Sequence, residues 1–341
     1  VKVDVKDDKG CTPCLTAALN GHVKAVELLL GCFKAKITAL DKKRTNLLHA
    51  ACEMGHGDLA TLLIERYNMG VEVGDRKGLT PLAGTAKRNE VAVFRLLVDK
   101  YGARLDTTTN LKNGLLHVAC EAGALDVARL LLEEHGFEVD ARNAHGDTPA
   151  LLAASRGNHE VLALLVDEHG ASLDAANARG AGALHKACER RQSGAASMLL
   201  GSYGLTADKV DPSGATPLHL AARGGDATLV ELLTGPVGRA NSGLRDGEGN
   251  QALHIAAAHG HLEVVKILVE QAGADIGARD HSNKSALDVA IGTANSEIAD
   301  YLGEGVPDKG EQHNHCNMRR GFERAGRWMR MSRAAGHLQD V

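Results

Sequence analysis

The sequence predicts an all-α solenoid of helix-turn-helix repeats, and three observations predict it. Thr-Pro pairs recur 68 residues apart, at Thr12, Thr80, Thr148 and Thr216. Leu and Val residues at helical spacing follow each copy, as at Val161, Leu164 and Leu165. Aromatic residues make up only 3% of the 341 residues, so the core must consist of Leu, Val, Ile and Ala, which suits short packed helices.

Weaker copies of the same pattern lie halfway between the Thr-Pro pairs and after the last of them. They begin at Asn46, Gly114, Gly182, Gln251 and Ser285. The copies therefore start at positions 12, 46, 80, 114, 148, 182, 216, 251 and 285, so seven intervals are 34 residues and one is 35. Such a fixed period indicates a repeat architecture in which each unit buries its apolar face against its neighbours.

Each unit is predicted to consist of a turn followed by two helices. The turn carries Asp or Asn three residues before Gly, as at Asp75 and Gly78, because the side-chain oxygen accepts backbone N–H bonds there. The threonine caps the first helix, and the proline, which has no N–H, occupies the first helical position. This short, Ala-rich helix ends near a glycine such as Gly225, and the second helix carries the Leu and Val residues.

Segments 216–222, Thr-Pro-Leu-His-Leu-Ala-Ala, and 260–269, Gly-His-Leu-Glu-Val-Val-Lys-Ile-Leu-Val, resemble the ankyrin repeat. The resemblance covers Asp7 to about Leu302 in nine copies. It implies an ankyrin-type solenoid in which the histidine, as at His219, is a buried hydrogen-bonding group that supports the turn. The period is one residue longer than the family's usual 33. The ninth copy has Asp288 in place of the histidine, which is typical of a polar terminal cap.

Three regions are predicted along the chain. Residues 1–6 match the end of an upstream repeat, because Val1 to Asp7 aligns with Phe137 to Asn143. Residues 7–302 form the nine repeats, and residues 303–341 form a basic C-terminal tail. We therefore expect a part of a longer array whose first repeat frays at its N-terminal end.

Composition excludes several functional classes. The formal net charge of −4 offers no general attraction to nucleic acid, and no apolar run approaches the roughly 18 residues of a membrane span. Seven cysteines, an odd number, are typical of reduced thiols rather than a disulfide framework. Together with the missing signal peptide they predict a cytoplasmic protein, with the nucleus as the other compartment.

No motif indicates an enzyme, a cofactor or a metal site. Segment 247–252 matches a loose dinucleotide-binding pattern, but it falls on the turn of a repeat and no strand precedes it. Cys14 occupies an apolar repeat position, where cysteine behaves as a small hydrophobe. The His-x-x-Cys pairs, as at His49 and Cys52, recur two repeats apart, about 20 Å by helix packing, which is too far for two pairs to share one zinc ion.

The resemblance implies that the two residues closing each first helix face a concave groove. The charged residues at these positions are Glu53, Lys87, Arg88, Glu121, Arg156, Glu189, Arg190 and Arg223. Two interpretations stay open for them. They form inter-repeat ion pairs, which stabilise an exposed surface by only about 0–1 kcal/mol each, or they recognise a partner of complementary charge.

The function predicted from these features is protein binding by a scaffold or adaptor, through the concave groove and the turn tips. The alternative is the regulatory repeat region of a larger enzyme or channel whose catalytic or membrane part lies outside this chain. The tail provides a second candidate site in Phe322, Arg324, Arg327 and Trp328. Its arginines and apolar residues indicate either a flexible segment or a basic amphipathic helix that contacts a membrane or a calmodulin-like protein.

Overall fold

The computed structural model describes residues 2–304, which hold eighteen α-helices and no strand. None of these helices is both long and apolar enough to cross a bilayer. The all-α repeat fold predicted from the sequence is therefore confirmed. The chain divides into two compact units, Val1–Lys186 and Ala187–Val341, and the division falls within helix α11.

Unit 1 contains five complete repeats, each with an inner helix followed by an outer helix. The inner helices are α1 Pro13–Leu19, α3 Leu47–Glu53, α5 Pro81–Arg88, α7 Leu115–Ala122 and α9 Pro149–Arg156. The outer helices are α2 Val23–Gly31, α4 Gly57–Glu65, α6 Val91–Arg95, α8 Leu125–Glu133 and α10 His159–Ala163. Each inner helix packs on the next, so that Leu47, Leu116 and Ala119 are buried.

Two outer helices of unit 1 change their winding. Helix α6 continues as a π-helical turn over Leu96–Lys100, and α10 does so over Leu164–Glu168. A π turn accommodates one residue more than an α turn. It keeps Leu97 and Leu165 in the core while the chain still closes with the N–H of Ala103 on the carbonyl of Leu97, at 2.9 Å.

Unit 2 follows the same plan. Its inner helices are the last part of α11 Ala183–Glu189, then α13 Pro217–Gly224, α15 Ala252–His259 and α17 Ala286–Gly292. Its outer helices are α12 Ser193–Gly201, α14 Ala227–Thr234, α16 Leu262–Glu270 and α18 Ser296–Glu304. The interval of 35 residues arises after α14, where the loop of residues 235–240 closes with the N–H of Ala240 on the carbonyl of Leu233, at 2.8 Å.

The predicted helix starts are confirmed. The hydroxyl oxygens of Thr12, Thr80, Thr148 and Thr216 each accept the N–H three residues on, and proline occupies the first helical position after each. Copies without Thr-Pro differ among themselves. Asn46 accepts the N–H of His49 at 2.9 Å, whereas Gly114 has no side chain to cap α7. Ser285 caps α17, and the carboxylate of Asp288 accepts the Ser285 N–H at 3.0 Å.

The predicted turn chemistry is also confirmed. One carboxylate oxygen of Asp75 accepts the N–H groups of Lys77 and Leu79, at 2.7 and 2.9 Å. Asp246 does the same for Glu248 and Asn250, at 2.9 and 2.8 Å. Because these bonds give every turn the same shape, successive turns can pair through backbone hydrogen bonds, as discussed below.

The residue that joins the inner to the outer helix has a left-handed backbone in all nine repeats. Six of these residues are glycines, and the other three are Asn89, Arg191 and Ala294. Gly225, at φ +70°, has a second constraint besides its backbone angle. A Cβ atom there would lie 2.5 Å from Nδ1 of His261, whose Nε2 donates to the Arg223 carbonyl at 3.1 Å.

Gly225→Ala tests this double constraint against a matched control. Gly273 has a similar φ of +63° but no atom within 4 Å of a built Cβ, so Gly273→Ala carries only the backbone cost, about 1 kcal/mol. We expect Gly225→Ala to lower the free energy of unfolding by about 2–3 kcal/mol, because the new methyl group also displaces His261. Urea unfolding followed by circular dichroism measures both values. Equal losses in the two variants would show that the contact with His261 adds nothing.

Candidate partner-binding groove

The eight charged residues predicted to face the groove lie at the C-terminal ends of inner helices. Six of them are exposed: Lys87, Arg88, Arg156, Glu189, Arg190 and Arg223. Glu53 and Glu121 are partly buried. The four predicted tail residues, Phe322, Arg324, Arg327 and Trp328, lie outside the described residues.

In unit 1 the groove charges pair between adjacent repeats. Glu53 accepts from Lys87 Nζ at 2.8 Å and from Arg88 Nε at 3.3 Å. Partial burial opposes ionisation of Glu53, but the two cations outweigh it and hold its pKa below the usual range. Arg156 pairs with Glu121 at 2.5 Å. In this unit the ion-pair interpretation describes the predicted residues.

In unit 2 the corresponding residues do not pair. Glu189 and Arg223 stand at the same repeat positions as Glu53 and Lys87, 34 residues apart. Among the described residues, neither these two nor Arg190 lies within 4.0 Å of an opposite charge. Their side chains are exposed and available to a ligand.

A groove of about 560 Å³ lies between the turns and inner helices of the last three repeats. Arg223 and His259, at the ends of α13 and α15, lie at one end of it, and Glu248, Asp280 and Lys284 lie at the turn end. Its apolar lining is limited to Ala215, Ile255, Ala258 and Val289. Of these residues, the sequence analysis identified only Arg223.

The buried histidines hold successive repeats together. Nε2 of His219 donates to the Asn250 carbonyl at 3.0 Å, and Nδ1 accepts the Thr216 N–H at 3.1 Å. Nε2 of His49 and of His117 similarly contacts the carbonyls of Leu79 and Asp147, at 2.9 and 3.2 Å. The role expected from the family resemblance is therefore confirmed. Burial lowers the pKa of His49, His117, His219 and His254, since the imidazolium loses its hydration.

The thiols of the His-x-x-Cys pairs are core groups. Cys52, Cys120 and Cys188 are almost inaccessible to solvent, and burial raises the pKa of each thiol, for Cys52 to about 12. Burial also raises the pKa of Cys14 to about 11. A thiol with a raised pKa is a poor nucleophile at neutral pH, so these residues pack as small hydrophobes.

A different group of ligand-type side chains lies on the outer helices of unit 1. Atoms of Glu133, Glu168 and His169 lie within 4.8 Å of one another, and sequence analysis did not bring them together because they come from two repeats. Arg129 bonds both carboxylates, at 2.9 Å to Glu133 and 2.5 Å to Glu168. The guanidinium therefore already satisfies the two carboxylates of this cluster.

Comparisons with known proteins show the family. The sequence profile "Ankyrin repeats (3 copies)" matches residues 1–76, 66–143, 116–211 and 218–313. The chain therefore belongs to the ankyrin repeat family. Proteins of this family generally mediate protein–protein interactions, and their repeat domains are typically non-enzymatic.

Two curated relatives match over short segments. The probable 26S proteasome regulatory subunit p28 of Saccharomyces cerevisiae is 39% identical over 92 residues, which are 27% of this chain and 37% of that protein. The NF-kappa-B inhibitor cactus of Drosophila melanogaster is 38% identical over 60 residues, 17% of this chain and 12% of that protein. The chain thus matches well under half the length of each relative.

Two solved structures share the fold over about two thirds of the chain. The human ASB11 ankyrin repeat domain has a TM-score of 0.57 and 27% identity, covering 67% of this chain and 100% of that domain. The ankyrin repeat domain of Bcl-3, a member of the IkappaB family, has a TM-score of 0.52 and 31% identity, covering 65% and 99%.

The buried histidines predict a loss of stability in mild acid. They stay neutral in the folded chain, while the unfolded chain takes up protons below the ordinary pKa of about 6.5. The unfolded state then binds more protons, so the free energy of unfolding should fall as the pH drops below about 6.5. Urea midpoints measured between pH 7.5 and 5.5 test this.

His219→Gln should make that decline shallower, because one of the buried titrating groups is removed. His159→Gln, which replaces an exposed histidine on α10, is the matched control and should leave the slope of the wild type. A pH-independent midpoint in the wild-type protein would contradict the prediction.

Proposed function

We propose that this chain is a protein-binding scaffold or adaptor module whose partner lies in the groove of unit 2. The observation that carries the proposal is the groove of about 560 Å³, which draws on the turns and inner helices of three successive repeats. Its position corresponds to the concave surface that the family resemblance implies for binding. The family's general role in protein–protein interaction supports the same conclusion.

The lining of the groove favours a polypeptide over a small metabolite. Small-molecule sites are mostly apolar and bury most of the ligand surface. Here, charged and polar side chains outnumber the four apolar ones. A polypeptide can meet separated charges at both ends of the groove and place a small apolar side chain between them, over Ile255, Ala258 and Val289.

The described titratable groups support binding rather than catalysis. His219 and His254 use their ring nitrogens in hydrogen bonds to turn carbonyls and helix N-termini. The buried thiols have raised pKa values. General base or nucleophilic catalysis needs such groups to be accessible and poised near neutral pH. We therefore propose a non-enzymatic role for these repeats.

Filling the groove tests the proposal without changing any charge. Ala258→Trp with Val289→Trp places two large side chains at partly exposed groove positions, and Thr228→Trp with Ser296→Trp places the same bulk on exposed outer-helix positions. Proteins captured from a lysate by each variant and by the wild type would be quantified by mass spectrometry. We expect the groove variant to reduce capture of specific partners at least about tenfold, equivalent to about 1.4 kcal/mol.

The outer-helix variant should capture the same partners as the wild type. Circular dichroism of both variants would establish that the helices are retained. Unchanged capture by a folded groove variant would place the interaction on another surface and overturn the proposal.

A further inference from the structure

Three arginines form a cationic patch beside the groove of unit 2. Arg190 follows the last residue of α11, Arg191 is the left-handed residue that joins α11 to α12, and Arg223 is in the last turn of α13. We propose that this patch binds an acidic peptide segment of the partner protein, an inference that rests on the proposed function and specifies its ligand.

The patch brings together residues from two repeats. A Cβ atom built on Gly224 would lie 3.3 Å from Nε of Arg191, so the Arg191 side chain lies against the residue next to Arg223. Arg191 stands where six of the other repeats have glycine, so this repeat has a cation at a position that most repeats leave without a side chain. The sequence analysis did not identify Arg191, since its significance depends on this contact with the next repeat.

The positive charge of the patch is not balanced within the described part of the chain. All three arginines are exposed, and none lies within 4.0 Å of a carboxylate there. Glu189 is the one acid contributed by the same helix ends, so positive charge is in excess. Asp226, at the start of α14, accepts the N–H of Leu229 at 3.1 Å and serves its own helix.

Unit 1 provides the internal comparison. At the equivalent positions, Lys87 and Arg88 already share the carboxylate of Glu53. A ligand carboxylate would have to compete with Glu53 there, whereas in unit 2 it would meet unoccupied guanidinium donors. Guanidinium groups bind carboxylates through paired, charge-assisted hydrogen bonds, which favours acidic side chains as the ligand.

The groove gives the peptide a direction. Arg223 belongs both to the patch and to the groove lining, while Glu248 and Asp280 lie at the opposite, turn end. Helix α15 has eight residues and is therefore about 12 Å long, which corresponds to three or four residues of an extended peptide. Acidic residues at the arginine end, followed by a small apolar residue over Ile255 and Ala258, fit this arrangement.

The test uses the full chain and fluorescein-labelled octaglutamate as the probe, with octalysine as the opposite-charge control. Binding is measured by fluorescence anisotropy for the wild type, for Arg190→Glu with Arg223→Glu, and for Lys87→Glu with Arg88→Glu. The last pair makes the same change of charge at the paired positions of unit 1. We expect the Kd for octaglutamate to rise at least about tenfold in the unit 2 variant and less than about twofold in the unit 1 variant.

A photo-crosslinking group on the octaglutamate identifies where it binds, because residues 305–341 also carry arginines. Crosslinks on α11 and α13, with weaker binding at higher salt, would support the proposal. Crosslinks confined to residues 305–341, equal losses in the two variants, or no binding to the wild type would each overturn it. In those cases the groove-filling experiment would still decide separately whether the groove binds a protein.

Discussion

Successive repeats are connected by hydrogen bonds between their turns, and the rest of each repeat depends on them. The N–H of each turn donates to the carbonyl of the preceding turn, as from Arg76 to Lys43 at 2.8 Å in unit 1 and from His281 to Glu248 at 3.1 Å in unit 2. The buried histidine adds a second bond, from its Nε2 to a carbonyl in the next turn. Both bonds need the turns to repeat at a nearly constant period, which explains why the sequence keeps its register so strictly.

Variation in chain length is taken up away from this turn ladder. The π-helical turns at Leu96–Lys100 and Leu164–Glu168 and the loop after α14 all lie on the outer-helix side. There an additional residue changes the winding of one helix without shifting an inner helix or a turn. The inner helices therefore keep a common spacing, and their C-terminal residues form a surface whose chemistry can vary from repeat to repeat.

That surface uses equivalent positions in two ways. In unit 1, Glu53 and Glu121 neutralise the cations of the following repeat, and such exposed pairs contribute at most about 1 kcal/mol each to stability. In unit 2, Glu189 and Arg223 occupy the same positions without pairing, and Arg191 adds a further cation. The difference concentrates unbalanced charge beside the groove of about 560 Å³, which is why the proposed ligand differs in chemistry from anything that unit 1 would select.

The sequence by itself determined the fold class, the repeat register, the threonine caps, the aspartate turns and the role of the histidines. Each of these depends on residues within one repeat or at a constant interval, so local chemistry and periodicity suffice to predict them. The sequence also placed the charged residues at the ends of inner helices but left their pairing open. Only the tertiary structure decided that Glu53 pairs and Glu189 does not, that Arg191 lies against Gly224, and that Ile255, Ala258 and Val289 line one groove. These features depend on side-chain directions and on distances between repeats, which the spacing of residues along the chain does not determine.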